Sequence, residues 1–364
     1  MSTLHKIALT YIKSIGPVNA KNLLAYCGSA EAVFSASRKQ LLQIPGIGEK
    51  TVEAILKTDA LARAKEELDF VEKHGIEVLF CSDENYPKRL KNCFDAPILL
   101  YFKGNADLNH SRIISIVGTR NATEYGKMLC KQLCEVLSPY NVLIVSGLAY
   151  GIDVTTHKEC ISNNIATVGV LGHGLDRLYP QIHKPTAQKM VLNGGLLSEF
   201  PTKTNPDRQN FPQRNRIIAG IADVTVVIEA SIKGGALITA EIANSYNKDV
   251  YAFPGRTNDV FSEGCNFLIK TNRAGLINNA NDLIYYLGWD DEVKRKEIKN
   301  QISLQLNLTG NEQKVIDALQ SNQLAIDELA IHVNIQQSKL AIILLTLEMQ
   351  GIIISMPGKV YKLA

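Results

Sequence analysis

RIISIVGTR, residues 112–120, decides the fold. Its apolar run is short and nearly continuous, with no polar face. Such a run describes a strand covered on both sides. The pattern recurs in VLIVSG (142–147), ATVGVLG (166–172), LLSEF (196–200), DVTVVIEA (223–230) and DVYAFPG (249–255). An amphipathic helical stretch separates each run from the next. This alternation predicts a parallel sheet with helices on both faces, an α/β core over residues 112–288.

Open parallel sheets bind ligands at the carboxyl ends of their strands. The first run ends in Gly118, Thr119 and Arg120, ahead of a helix whose N-terminus favours anions. The second ends in SGLAYGID (146–153), where Ser146 and Gly147 hold the matching place. Neither turn is a GxGxxG dinucleotide fingerprint, and no acid stands where a ribose would be held. Gly172, Gly174 and Gly195 read as turn residues. A nicotinamide cofactor is not expected.

KTNPDRQNFPQRNRIIAG (203–220) carries Lys203, Arg208, Arg214 and Arg216 against Asp207, so four cations and one acid leave +3. Asn205-Pro206 and Phe211-Pro212 keep the chain extended, which predicts a helix starting near Gln213. Arg214 and Arg216 then fall in its first turn, where cations oppose the helix dipole. A local conflict of this kind points to an anionic ligand. One arginine is expected to pair with Asp153, Glu199 or Glu229, and the others to face the ligand. Phe211 adds a stacking face; aromatic stacking among arginines is the chemistry of single-stranded nucleic acid. In ASIKGGALITAEIA (230–243), Lys233, Gly234 and Gly235 form a cationic turn before a helix, suited to phosphate. The loops after the strands would converge on one cleft.

Around this core lie a helical region (1–70), a connecting segment (71–111), a charged linker (289–307) and a C-terminal unit (308–364). In the helical region, LLQIPGIGEKTVEAIL (41–56) resembles a helix-hairpin-helix, with SIGPVNAKNLL (14–24) a weaker partner and Lys50 the nearby base. The connector holds strand candidates IEVLFC (76–81) and ILLYF (98–102). The linker contains DDEVKRKEIKN (290–300). The C-terminal unit reads as three helices (310–320, 324–332, 336–350) and an ending that alternates around Pro357-Gly358, the layout of a winged helix. Its third helix, IQQSKLAIILLTLEMQ (335–350), has Lys339 as its one base and is apolar around most of its circumference. Burial on more than one side, and a protein partner, are expected for it.

The bulk composition excludes several classes. A net charge of +3 over 364 residues does not by itself imply nucleic acid. The most apolar segment, LAIILLTL (340–347), is too short for a membrane span, and MSTLHKIALTYIKSIG holds no secretory signal core. Seven cysteines without a CxxC pair read as reduced thiols of a cytoplasmic protein, and no metal site is expected. The seven histidines are scattered; His157 and His173 lie near strand ends without a nucleophile-and-base arrangement. No catalytic set and no cofactor are expected.

VGTR, SGLAYGID, NFPQRNRIIAG, IEASIKGGALITAEIA, FPGR and SEGCNFLIKTNRA follow in that order over residues 115–275. They resemble the Rossmann-type core of the DNA-processing protein DprA (Smf) family. YPKRLKNCFDAPILLYFKG (86–104) resembles the segment leading into that core, and the flanking SAM-like, helix-hairpin-helix and winged-helix regions fit the same architecture. The resemblance implies a cytoplasmic protein of natural transformation that binds incoming single-stranded DNA, dimerises, displaces single-strand-binding protein and loads RecA. It implies a DNA cleft built from Arg120, Ser146, Gly147, Arg208, Phe211, Arg214, Asn215, Arg216, Lys233 and Gly234. Arg208 stands where some relatives have lysine, which keeps the charge.

A second resemblance is to Rossmann-like nucleotide phosphoribohydrolases of the lysine-decarboxylase-like group, which carry GGxGTxxE. GGALITAE (234–241) keeps two glycines and Glu241, but Leu237 and Ile238 replace the third glycine and the threonine. Hydrolysis of nucleoside monophosphates would separate that enzyme from a binder.

Overall fold

The structure is a computed structural model and describes residues 2–13, 15–289, 309–319, 323–356 and 359–363. The chain divides into two compact units, Met1–Leu287 and Gly288–Ala364. In the first, a nine-stranded sheet comprises β1 (Glu77–Phe80), β2 (Leu99–Gly104), β3 (Ile113–Val117), β4 (Leu143–Ser146), β5 (Ala166–Leu171), β6 (Gly194–Ser198), β7 (Val224–Val227), β8 (Asp249–Ala252) and β9 (Gly275–Leu276). Their order is β1-β2-β6-β5-β4-β3-β7-β8-β9. Every apolar run of the core became a strand, and the pairs from β6 through β9 are parallel. β3, β4 and β5 are buried along nearly their whole length, as strands covered by helices on both faces must be.

The segment 71–111 does more than connect. β1 pairs antiparallel with β2, and β2 antiparallel with β6, so both extend the main sheet. Alternation along β2 explains the placement. Leu100 and Phe102 join the central core, while Leu99 and Tyr101 join the core of the N-terminal helices. β2 is therefore a wall shared by two cores, and the helical region packs on it through Ile7, Leu9 and Val71.

The N-terminal helices include Pro17–Cys27 and Glu49–Leu56, which start after Gly16 and Gly48. Gly46, at φ +81°, makes the tight turn of the second hairpin, where a side chain would be strained. The long helix Ala60–His74 closes the region and ends at Gly75 in the left-handed conformation.

In the second unit, helices Gly310–Leu319, Ile326–Val333 and Gln337–Met349 accompany a three-stranded antiparallel sheet. Its strands are β10 (Leu324–Ala325), β11 (Ile353–Met356) and β12 (Val360–Leu363), in the order β10-β12-β11. Val315, Leu329, Leu340, Leu344 and Leu347 fill its core. Two expectations, the linker from residue 290 onward and the Pro357-Gly358 turn, lie outside the described residues.

Candidate nucleic-acid interface

Strand order places the site. The chain runs outward from β3 through β4 and β5 to β6, then returns to lay β7 against the other side of β3. Between β3 and β7 the loops diverge, and a crevice must open at their carboxyl ends. A cleft of about 530 Å³ lies there. Its walls include Gly118–Asn121 after β3, Ala149 and Asp153 after β4, Ser231, Gly234 and Gly235 after β7, and Arg208, Phe211, Arg214 and Asn215 from the segment after β6.

The floor is held by short backbone approaches. Thr119 donates its N–H to the Glu229 carbonyl at 2.7 Å. The buried Glu229 carboxylate accepts the Thr123 N–H at 3.0 Å and hydroxyl at 2.5 Å, fixing the start of helix Glu124–Leu137. Gly147 has no room for a side chain: a Cβ there would collide with the Arg214 guanidinium and the Asp153 carboxylate. Both buried groups therefore crowd the space over this glycine, near enough for their charges to influence one another.

The helix carrying the arginines runs from Asn210 to Ile221, so it starts earlier than Gln213. Pro212 lies within its first turn, where the missing N–H has no partner to lose. Arg214 and Arg216 consequently sit in the second turn, beyond the reach of the dipole argument. Arg214 is 4% exposed. One of its terminal nitrogens donates to the Val170 carbonyl at 3.1 Å, and its Nε has no hydrogen-bond partner among the described residues. Burial lowers its pKa to about 10, the Asp153 charge opposing that fall. Burial likewise raises Asp153, against the pull of Arg214. Arg216 points away from the cleft, donating to the Glu199 carboxylate and the Asp95 carbonyl. Two arginines rather than one are thus engaged internally, because the fold brings Asp153 and Glu199 beneath the helix.

Arg120 and Arg208 are exposed and have no ion pair among the described residues. The Arg120 guanidinium lies 5.3 Å from the centre of the Phe211 ring, and that of Arg214 lies 5.9 Å away. Phe211 is half-buried, and the Tyr179 ring sits 6.4 Å from it. Tyr150 and Tyr179 are exposed and line the adjoining recess with Arg120 and Phe211. Sequence reading missed both tyrosines. Tyr150 stood inside SGLAYGID, and its place after a strand end was the available signal. For Tyr179 there was none, since it arrives on the long connection after β5.

Three other expected residues fall elsewhere. Ser146 is the last residue of β4, is fully buried, and donates its hydroxyl to the Ile116 carbonyl at 2.6 Å. The sheet's central strands enclose it on both sides. Lys233 is exposed at the tip of its turn and is not part of the cleft wall, whereas Gly234, the N-cap of helix Gly235–Ser245, is. Arg216 lies behind the helix, as described. Gly118, Thr119, Gly147 and Asn215 line the cleft or its recess.

The histidines near strand ends are internal. His157 bonds Thr167 at 2.7 Å, and burial lowers its pKa to about 3. His173 contacts the Gly174 carbonyl and the Tyr179 N–H. Among the described residues, no cluster of three His, Cys, Asp or Glu is placed to hold a metal ion, and no single helix is long and apolar enough to cross a membrane. In GGALITAE, Glu241 is exposed and paired with Arg273 at 2.5 Å, while Ile238 occupies the cleft wall.

Residues 77–288 match the family of DNA recombination-mediator protein A. Residues 7–58 match the SAM-like helix-hairpin-helix tandem, and residues 303–359 the DprA winged helix domain. Protein Smf of Synechocystis is 30% identical, the alignment covering 98% of this chain and 97% of that one. The DNA processing protein DprA of Streptococcus pneumoniae is 37% identical over 56% of this chain and 71% of its own. Its X-ray structure superposes with a TM-score of 0.67 at 29% identity, covering 78% of this chain and 98% of the other. The Helicobacter pylori protein, described for its single-stranded DNA binding mode, superposes at 0.54 with 30% identity, covering 59% of this chain and 96% of its own. With the core and both flanking domains matched, the chain belongs to the DprA (Smf) family of DNA recombination mediators.

Proposed function

We propose that the β3–β7 crevice binds single-stranded DNA. The observation that carries this reading is the ring of Phe211 with the guanidinium groups of Arg120 and Arg214 beside it. Arg120 and Arg208 are exposed and without an ion pair among the described residues, which leaves them available to phosphates. Phe211, Tyr150 and Tyr179 offer faces on which unpaired bases stack; a duplex keeps its bases stacked inside. The Helicobacter pylori relative, described for binding single-stranded DNA, supports the same substrate.

We extend this to the role the family resemblance implies: protection of incoming single strands in natural transformation, displacement of single-strand-binding protein, and loading of RecA by a cytoplasmic homodimer. The proposed role is binding without chemistry on the DNA. The phosphoribohydrolase alternative is disfavoured because Glu241 is committed to Arg273 and Ile238 replaces the motif's small polar residue at the cleft.

The test is a binding series with single- and double-stranded DNA of equal length at several salt concentrations. Preference for the single strand is expected. Arg120→Ala and Arg208→Ala should each flatten the log–log salt dependence by about 0.7. Equal affinity for both forms, or unchanged slopes in both variants, would rule out this reading.

A further inference from the structure

The N-terminal helices meet the DNA-facing part of the unit at one buried charge. Glu67, on helix Ala60–His74, is 1% exposed. Its Oε1 accepts the Thr202 N–H at 2.9 Å. Its Oε2 accepts the Thr202 hydroxyl at 2.5 Å, the Arg63 guanidinium at 3.0 Å and the Tyr11 hydroxyl at 3.1 Å. Arg63 also donates to the Thr202 carbonyl at 2.9 Å and to its hydroxyl oxygen at 2.7 Å. The next residue, Lys203, pairs with Glu66 at 2.8 Å and adopts φ +69°. A left-handed lysine costs free energy and persists only where its surroundings dictate it.

Thr202 and Lys203 lie in the first half of the strap, residues 199–209, that joins β6 to helix Asn210–Ile221, and Arg208 is carried by that strap. Further along, Arg177 donates to the Asn205 side chain at 2.5 Å, and Asn210 donates to the Asn205 carbonyl at 2.9 Å. The strap is thus pinned before Arg208 and at the helix that presents Phe211. Apolar contacts would serve stability as well as a buried charge does. What the carboxylate adds is a fixed geometry for one threonine.

The helix-hairpin-helix loops are differently equipped. Arg38 is paired with Glu49, and Lys57 with Glu53. Lys21 donates to the carbonyls of Cys93 and Phe94 at 3.3 and 3.5 Å. The Glu49 carboxylate itself occupies the first turn of the second hairpin's helix, where a phosphate would have to approach.

We propose that Glu67 is a positioning residue for DNA binding: through Thr202 it fixes the strap so that Arg208 stands at the crevice beside Phe211. The N-terminal helices then contribute to binding through this latch. This rests on the single-strand reading of the crevice.

The experiment is a double-mutant cycle in the full-length protein, read by fluorescence anisotropy with a single-stranded oligonucleotide. Thr202→Val is combined with Arg208→Ala and, separately, with Arg120→Ala. Thr202→Val should weaken binding about as much as Arg208→Ala and flatten the salt slope by the same ~0.7. In the Thr202→Val background Arg208→Ala should cost almost nothing further, while Arg120→Ala keeps its full effect. Thr202→Ser, which keeps the hydroxyl, should bind like the parent protein. Glu67→Gln gives the same readout should Thr202→Val fail to fold. Wild-type affinity in Thr202→Val, or losses that simply multiply with Arg208→Ala, would overturn the latch while leaving the crevice intact. A parent protein that does not bind single strands would overturn both.

Discussion

Two helices of this molecule break the hydrophobic pattern in opposite senses. Asn210–Ile221 draws Arg214 inward to 4% exposure. Gln337–Met349 leaves Ile342, Leu345 and Met349 at 67%, 58% and 82% exposure. Rule-breaking concentrates where function is carried. The first helix is supported from below: Glu199 pairs with Arg216, and the nearby Asp153 charge favours the Arg214 cation. Among the described residues of the second unit, nothing comparable covers the outer aliphatic face, since Leu340, Leu344 and Leu347 already fill the core. A buried cation is answered by its own scaffold, whereas an exposed aliphatic stripe calls for a partner.

The sharpest way to break the first half of that comparison is Arg214→Ala. It strips the buried Asp153 carboxylate of the nearby Arg214 charge. Such a loss costs about 3 kcal/mol or more. Urea denaturation should show it, and Asp153→Asn combined with Arg214→Met should recover most of it. Arg120→Ala, on the exposed side of the same crevice, should stay within about 0.5 kcal/mol. Equal stability of the two single-arginine variants would mean that Arg214 is not a scaffold group.

Next in size is a pH effect at Glu199. One of its oxygens accepts from Arg216; the other is buried with no hydrogen-bond partner among the described residues. Burial pushes this carboxyl up to about 7, Arg216 opposing the rise, from an ordinary 4.5. The folded protein therefore holds a proton that the unfolded chain releases. Stability from this group is complete below about pH 4.5 and falls as pH rises to about 7. The total is on the order of 3 kcal/mol. Glu199→Gln should remove that slope, so variant and parent are compared at pH 5 and pH 8. A difference between them that does not change with pH would show that Glu199 titrates normally.

Phe211→Ala sits at the boundary between scaffold and ligand face. If one base stacks on the half-buried ring, single-strand affinity drops by about 1–3 kcal/mol with little sequence preference. A ring serving the core would instead cost about 3–5 kcal/mol of stability. Affinity and thermal melting measured on one preparation separate the two, and a large melting loss with intact affinity would remove Phe211 from the interface.

The sequence was most legible where its pattern was local. The continuous apolar runs from Ile113 to Ala252 specified buried parallel strands, and the glycine-rich ends of β3 and β7 pointed to the crevice. β1 and β2 were visible as strand candidates, but their antiparallel addition to the sheet was not. That pairing depends on which face of β2 each of two cores claims. The arginines were found and their roles only partly assigned. Side chains equally cationic in sequence differ by whether Asp153 or Glu199 lies beneath them, and nothing adjacent to Arg214 or Arg216 reveals that. Ser146 was misplaced because a strand's last residue still belongs to the sheet. The helix starts at Asn210, ahead of Pro212, because the first turn of a helix tolerates proline.

The smallest expected effect sharpens the other half of the comparison. The outer face of helix Gln337–Met349 carries Lys339 as its one cation, and Gln337, at its start, is engaged with Asp327 at 2.5 Å. A helix that reads a major groove needs several cations for phosphates and free polar groups for base edges. Aliphatic side chains at 342, 345 and 349 offer neither, but they suit a protein surface. Removing residues 301–364 should therefore change single-strand affinity by about twofold or less. Leu345→Glu in the full chain should be equally silent toward DNA, while abolishing whatever protein contact this unit makes. The same unit, purified and folded, should not bind duplex DNA specifically at physiological salt. Micromolar or tighter specific binding by that fragment would mean that its aliphatic face is incidental and that the winged helix reads DNA after all.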